Sequence, residues 1–394
     1  MKRSFSLRRA VLLGSGLALI AVTYGLVRLA FGLFLPDVQR DLDLDAAAAG
    51  WVSAGASVSY CLGALAGFVL ARAHARALVV AATVTAAAGA IGMAAGSDAV
   101  VFSVAAVVGS ASAGLASPAL VRLVEERVSG SGRVRAQAFV NAGTGPGLVV
   151  AGVLALLLLP DWRTAWAVSG VAAALVGAAV LVGAGRRDEH DSGRGRPTPG
   201  RRWSRAHVRL LVVALLYGVG TASVWTFGRS TLVDAGASTV TSVLLWVAVG
   251  VGGAAVTVTS RWTAGLRART LWLVTTLVTA AAVAAEGLVP SSGAVSLAAG
   301  VVFGWAYTAA TGALIAWTTE IASEHAAAGT SVLFVVLVLG QAVGAAGLGT
   351  VLDAVGPAVA FLLAAVVTAT GAVGSCRWGR SQERAELDLP VAGA

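Results

Sequence analysis

Twelve apolar stretches, each close to the roughly 20 residues a helix needs to cross a bilayer, leave this chain few folds to choose from. They lie near residues 10–35, 47–71, 78–96, 99–121, 137–159 and 164–184, and again near 209–232, 239–259, 270–289, 294–317, 328–352 and 357–376. Many are apolar all round, as expected of helices that face lipid and one another. Glycine and other small residues fill them, which permits close helix packing. Of 394 residues, 57% are hydrophobic and 12% charged, about half the charge of a soluble domain. The expected fold is therefore all-α and integral to a membrane, with twelve transmembrane helices.

Arginine placement orients them. If the spans alternate, twenty-four basic residues fall on the side of the N-terminus, and only Arg40 and Arg163 fall in loops on the other side. That bias places both termini in the cytoplasm. It also accounts for the net charge of +9, which clusters in short loops and does not form a nucleic-acid footprint. Lys2 is the only lysine, which with the alanine and glycine content points to a high-GC bacterial genome and to the cytoplasmic (inner) membrane. His74, His190, His207 and His325 all fall on the cytoplasmic side, and Cys61 and Cys376 provide no disulfide or metal spacing. The opening MKRSFSLRRAVLLGSG faintly resembles a twin-arginine leader. Its apolar run is too long, and no small-residue cleavage site precedes Pro36, so it is read as a retained first helix.

Residues 185–207, GRRDEHDSGRGRPTPGRRWSRAH, are polar and rich in Gly, Pro and Arg, and read as a flexible linker. The expected organisation is a six-helix bundle over 1–184, a cytoplasmic linker over 185–208, a second bundle over 209–376 and a cytoplasmic tail over 377–394. Weak internal echoes favour a duplication. TYGLV at Thr23 echoes LYGVG at Leu216, Gly109 aligns with Gly304 and Glu125 with Glu320, and Asn141 and Gln341 occupy comparable places in spans 5 and 11.

Several motifs resemble those of the major facilitator superfamily. NAGTGPGLVVAG in span 5, with Gly143, Gly145, Pro146 and Gly147, resembles the family's antiporter-associated Gly-x-Gly-Pro motif. DWRTAW, from Asp161 to Trp166, resembles the aromatic-Arg turn before span 6. The loop between spans 2 and 3, GFVLARAHARALV, resembles the signature Gly-x-x-x-Asp-Arg-x-Gly-Arg at Gly67, Arg72 and Arg76. It departs from that signature at Ala71, where the aspartate belongs, and at His74, where a glycine belongs. The family's arginine early in span 4 is missing. YGLVRLAFGLFLPDVQ also resembles a branch of bacterial permeases with a Gly-x-Gly-Arg run, from which Val27 departs. The resemblance implies two pseudo-symmetric six-helix bundles with spans 1, 4, 7 and 10 lining a central cavity that opens alternately to each side.

Arg28 is the sharpest candidate. It lies in the apolar run of span 1, about 7–8 Å outward of the midplane at 1.5 Å per residue. A charge at that depth costs about 2.5–3.5 kcal/mol by insertion scales. Either it faces the cavity and contacts substrate, or it snorkels or bonds helix carbonyls. Tyr24, one turn away, shares its face. Tyr217, Tyr307, Trp225 and Trp305 fall in spans 7 and 10 and serve either binding or packing. Arg229, a few residues before Asp234, is expected to snorkel to the outer surface. Asp37, Asp234 and Asp353 mark outer ends, and Glu286 is about one turn inside the outer end of span 9. Asn141 and Gln341 are expected to bond across helices. Arg72 and Arg76 are expected to grip the cytoplasmic junction between halves, or lipid headgroups. Pro146 among glycines has a mechanical reading as a bend beside its antiporter-like one.

These features point to a secondary active transporter for a small anionic or strongly polar organic solute, acting as a monomer without cofactor or metal. The span 5 motif supports the alternative of a drug or metabolite efflux antiporter. A non-transporting sensor on the same fold is more remote. Protons are a candidate coupling ion, although no Asp, Glu or His lies deep in spans 1, 4, 7 or 10. The absence of a buried nucleophile with a base, or of a buried carboxylate pair, argues against an enzyme.

Overall fold

The computed structural model describes residues 2–128, 130, 132–185, 201–263 and 265–387; most of the linker and the end of the tail lie outside the described residues. These residues are helical almost throughout, and ten of the helices are long and apolar enough to cross a membrane. Two details reconcile ten with the expected twelve. Residues Ala46–Ala95 form one 50-residue helical element interrupted at His74, whose φ of −132° and ψ of 31° are not helical. At 1.5 Å per residue it would be about 75 Å long, over twice a bilayer's hydrocarbon thickness. Its neighbours show that it folds back. Gly63 and Gly67 lie against Ala111 and Pro118, so this part runs parallel to span 4, whereas Gly89 and Gly92 lie against Gly109 and Ala105 and run antiparallel to it. The element is thus spans 2 and 3, reversing at His74. The last span is the apolar part, 357–372, of helix Pro357–Leu387. The helix of span 7 starts at Arg201, inside the stretch assigned to the linker.

Glycines reveal the duplication more sharply than the sequence echoes do. A Cβ on Gly143 would strike the Leu17 carbonyl oxygen, and one on Gly147 that of Ala21. In the other half, Gly340 meets the Leu215 carbonyl and Gly344 that of Val219. Each half therefore crosses its first and fifth spans at two glycines four residues apart, where only a bare backbone lets the helices touch. A second matched crossing pairs Gly63 and Gly114 with the Ala111 and Tyr60 carbonyls, and Gly252 and Gly304 with those of Val301 and Val249. These crossings correct the register read from the sequence. Gly304 corresponds to Gly114 and not Gly109, Arg28 corresponds to Thr226, and Asn141 and Gln341 do not correspond. Alanine-glycine helices repeat small residues so densely that short matches slide by several positions.

We call the end bearing Asp37, Asp234 and Asp353 the outer end, as the arginine distribution assigns it. There the halves meet closely. Gly32 of span 1 packs on the Trp225 carbonyl of span 7, Gly50 of span 2 on the Ala345 carbonyl of span 11, and the Asp353 carboxylate accepts from the Ala47 N–H at 3.2 Å.

Candidate functional site

Spans 1 and 7 both lose regular α-helical winding in mid-membrane. Ala21–Leu29 and Ser223–Phe227 are π-helical, and in the crossing register Leu29 and Phe227, where the two segments end, coincide. A π turn carries one surplus residue, which re-aims the side chains it bears and often marks a functional position. Here it presents Arg28 from one half and Trp225 and Thr226 from the other to a cavity of about 390 Å³, including space open to solvent. Its enclosed space is only about 30 Å³, room for roughly one or two waters, so the walls are nearly collapsed around Arg28 in this conformation. Ser53, Ser57 and Gln341 complete its polar lining, with Leu29, Phe31 and Ala222 among the apolar walls.

Arg28 is half-buried at the seam between halves. One Nη donates to Oε1 of Gln341 at 3.1 Å, and the guanidinium lies 4.6 Å from the centroid of the Tyr60 ring. Its Nε is buried without a partner. Among the described residues no carboxylate is paired with it. The amide of Gln341 in turn donates to the Tyr307 hydroxyl at 3.2 Å, and Tyr24 and Tyr60 share a hydrogen bond of 3.1 Å. Tyr307 meets Trp225 edge to face at 5.2 Å and lies parallel to Phe303 at 5.8 Å. The result is a cation held by neutral partners beside an aromatic wall, with the Ser53 and Thr226 hydroxyls bonded across the halves at 2.9 Å.

The other residues singled out from the sequence fall elsewhere. Tyr217 is fully buried behind Tyr307, stacked on it at 5.7 Å and bonded to Thr279 at 2.9 Å. Trp305 turns away from the cavity and donates to the Thr259 hydroxyl of span 8 at 2.8 Å, because span 10 packs that face on span 8. Asn141 is exposed where span 5 breaks between Gly132–Asn141 and Thr144–Leu158, bonding the Gln137 carbonyl at 3.0 Å and accepting from Ser117 at 3.4 Å. Pro146 lies in the first turn after that break, and Gly145 faces the Gly250 carbonyl of the opposite half. Arg76 does not reach the junction between halves. With Arg127 it caps the Ala184 carbonyl at the end of span 6, within its own half, where a helix end leaves carbonyls to satisfy. Arg72 is exposed at the inner end of span 2.

Arg229 corrects the sequence reading most. It is 1% exposed and does not snorkel. Its Nη donates to the Asp37 carboxylate at 2.5 Å and to the Leu33 carbonyl at 2.6 Å, and its Nε to Ser242 at 3.2 Å. Span 1 leans on span 7 at this end and brings Asp37, itself buried, so the guanidinium is satisfied without water. Sequence reasoning also missed Ser53 and Ser57, which line the cavity, and Tyr60, whose ring lies under the Arg28 guanidinium. Their spacing was the available signal, since Ser53, Ser57 and Tyr60 repeat at four and three residues and share one face of span 2.

The family model described as Major Facilitator Superfamily matches residues 17–294. No curated protein matches the sequence. Among solved structures, the fold is similar to a mutant form of the nucleoside transporter NupG, at TM-score 0.74 and 13% identity over 93% of this chain and 99% of that one. It is also similar to a bacterial homologue of the human lysosomal transporter Spinster in an inward-facing, occupied conformation. There the TM-score is 0.76 and the identity 15%, over 94% of this chain and 97% of the other.

Proposed function

The chain belongs to the major facilitator superfamily and is a multi-pass membrane transporter, and we propose that its cargo is a small anionic or strongly polar organic solute bound at Arg28. The observation that carries this reading is a guanidinium at the seam between halves whose hydrogen-bond and π partners, Gln341 and Tyr60, are all neutral. A partly desolvated cation with spare donors favours an anion or a strong acceptor, and a charge-assisted bond is about twice as strong as a neutral one. Tyr24, Tyr60 and Tyr307 supply hydroxyls around it, Trp225 an apolar face, and Gln341 an amide that changes partner when cargo displaces it. Tyr217 and Trp305 support this wall from behind or beside it and are not assigned to the cargo.

The two bundles rock about the site, so that the Arg229–Asp37 latch and the Gly32–Trp225 contact close the outer end while the other end admits solute. The same site serves uptake or efflux; the Gly-Pro break in span 5 is consistent with the efflux alternative. A thermal-shift screen of small organic anions and nucleosides on the purified protein, followed by counterflow in proteoliposomes, tests the proposal. A ligand that stabilises wild type should lose its shift in Arg28→Gln and be exchanged across the membrane by wild type. Equal binding by both proteins refutes the role of Arg28, and binding without exchange favours a sensor.

A further inference from the structure

Glu286, on span 9 (Ala268–Leu288), is fully buried, and neither of its carboxyl oxygens has a hydrogen-bond partner. Nothing in the cargo site uses it. A carboxylate stripped of both water and hydrogen bonds is costly enough that such groups take up a proton instead. Its place is specific. The Glu286 carboxyl lies 3.4 Å from where a Cβ on Gly228 would stand, next in sequence to Arg229. Arg229 and Glu286 belong to the same bundle, whereas Asp37, the present partner of Arg229, belongs to the other.

We propose that Glu286 is a proton-binding site that exchanges with Asp37 for Arg229 as the outer end opens and closes. With the outer end closed, Asp37 neutralises Arg229 and Glu286 holds its proton. Separation of the bundles withdraws Asp37 and leaves a buried guanidinium alone. Loss of the Glu286 proton to the outer side then supplies the missing negative charge from within the same bundle. The groups on elements packed against span 9 leave this assignment intact. Span 7 brings the Gly228 backbone against it and carries Arg229, whose guanidinium is turned to Asp37, Leu33 and Ser242. It then carries Asp234 toward the outer end, Tyr217 two turns inward at Thr279, and Arg205, His207 and Arg209 at the far end. Span 10 brings Tyr307 and, at its inner end, Glu320, and residues 357–372 of span 12 carry no titratable group. The proposal takes over the two-ended opening above and depends on nothing about the cargo.

The sign follows from linkage: the outer-open state binds one proton fewer, so higher pH favours it, by at most about tenfold in population ratio per pH unit. The test uses spin labels at Val100→Cys and Val240→Cys, exposed positions at the outer ends of the two halves, in a protein lacking Cys61 and Cys376. In lipid nanodiscs the long-distance population should rise with pH in the parent, and Glu286→Gln should hold the short distance at every pH. Asp37→Asn should move the rise to lower pH. A Glu286→Gln protein that keeps the parent's pH dependence overturns the proposal, as does a parent whose distances ignore pH. If Glu286→Gln does not fold, infrared spectroscopy of the parent decides: a protonated carboxyl band must be present in the closed form and disappear as the outer end opens. Distances that never change, with pH or with cargo, instead sink the alternating opening itself.

Discussion

Two arginines lie within the membrane on the paired first spans of the two halves, and they are held in opposite ways. Arg229 is sealed in a site built for it, with a carboxylate, a carbonyl and a hydroxyl as acceptors and 1% of its surface exposed. Arg28 has one amide, one ring face and an unpartnered Nε. The first is a finished ion pair joining the bundles, and the second is a cation short of an anion. Burial alone therefore does not single out a candidate for cargo binding; the incompleteness of a charge's partner set is the better guide.

The largest expected effect is at the finished pair. Removing one member of a buried ion pair leaves an uncompensated charge and costs about 3–5 kcal/mol. At a pH low enough to keep Glu286 protonated, Asp37→Ala should therefore lower the melting temperature of the outer-closed protein more than any other single change discussed here, and Asp37→Leu with Arg229→Met should recover most of that loss. A milder loss in the single variant than in the double would break the contrast. At Arg28 the expected pattern is reversed. Arg28→Gln should leave the melting temperature nearly unchanged and weaken cargo binding by about 10–150-fold, the worth of one hydrogen bond to a charged group at about 1.5–3 kcal/mol. Binding isotherms and melting curves on the same samples distinguish the two arginines.

The glycine crossings sharpen the comparison between halves. Gly147→Ala and Gly344→Ala each put a methyl into a carbonyl of the partner helix and should destabilise by similar amounts, about 1–3 kcal/mol. Unequal losses would show that the two bundles are not packed alike. The smallest effect belongs to Trp305→Phe, which loses one hydrogen bond to Thr259, worth about 0.6 kcal/mol in a membrane interior. It should leave cargo affinity untouched, as titration of the variant would show.

Hydropathy made the membrane-spanning helices legible because lipid imposes it residue by residue, and the candidate site was legible in part for the same reason. Arg28 stood out because a charge in an apolar run is conspicuous. Arg229 stood out equally, and its sequence neighbours pointed the wrong way, since its partner Asp37 lies on the other bundle and pairing of that kind has no local signature. Gln341 was read as interhelical glue. It does bridge Arg28 and Tyr307, but in the wall of the cavity, a position set by the register of span 11 on span 7. Glu286 was placed near an outer end by counting along span 9, and no counting could show that Gly228 of span 7 closes over it.

The π-helical turns in spans 1 and 7 have a mechanical consequence. Each surplus residue is a dislocation in the hydrogen-bond ladder, and sliding it along the helix by one position turns the intervening side chain by roughly 100° while almost every ladder bond survives. The parts of spans 1 and 7 above and below can thus swivel separately without proline and without melting. Backbone amides at 21–29 and 223–227 should accordingly exchange with deuterium faster than those one turn to either side.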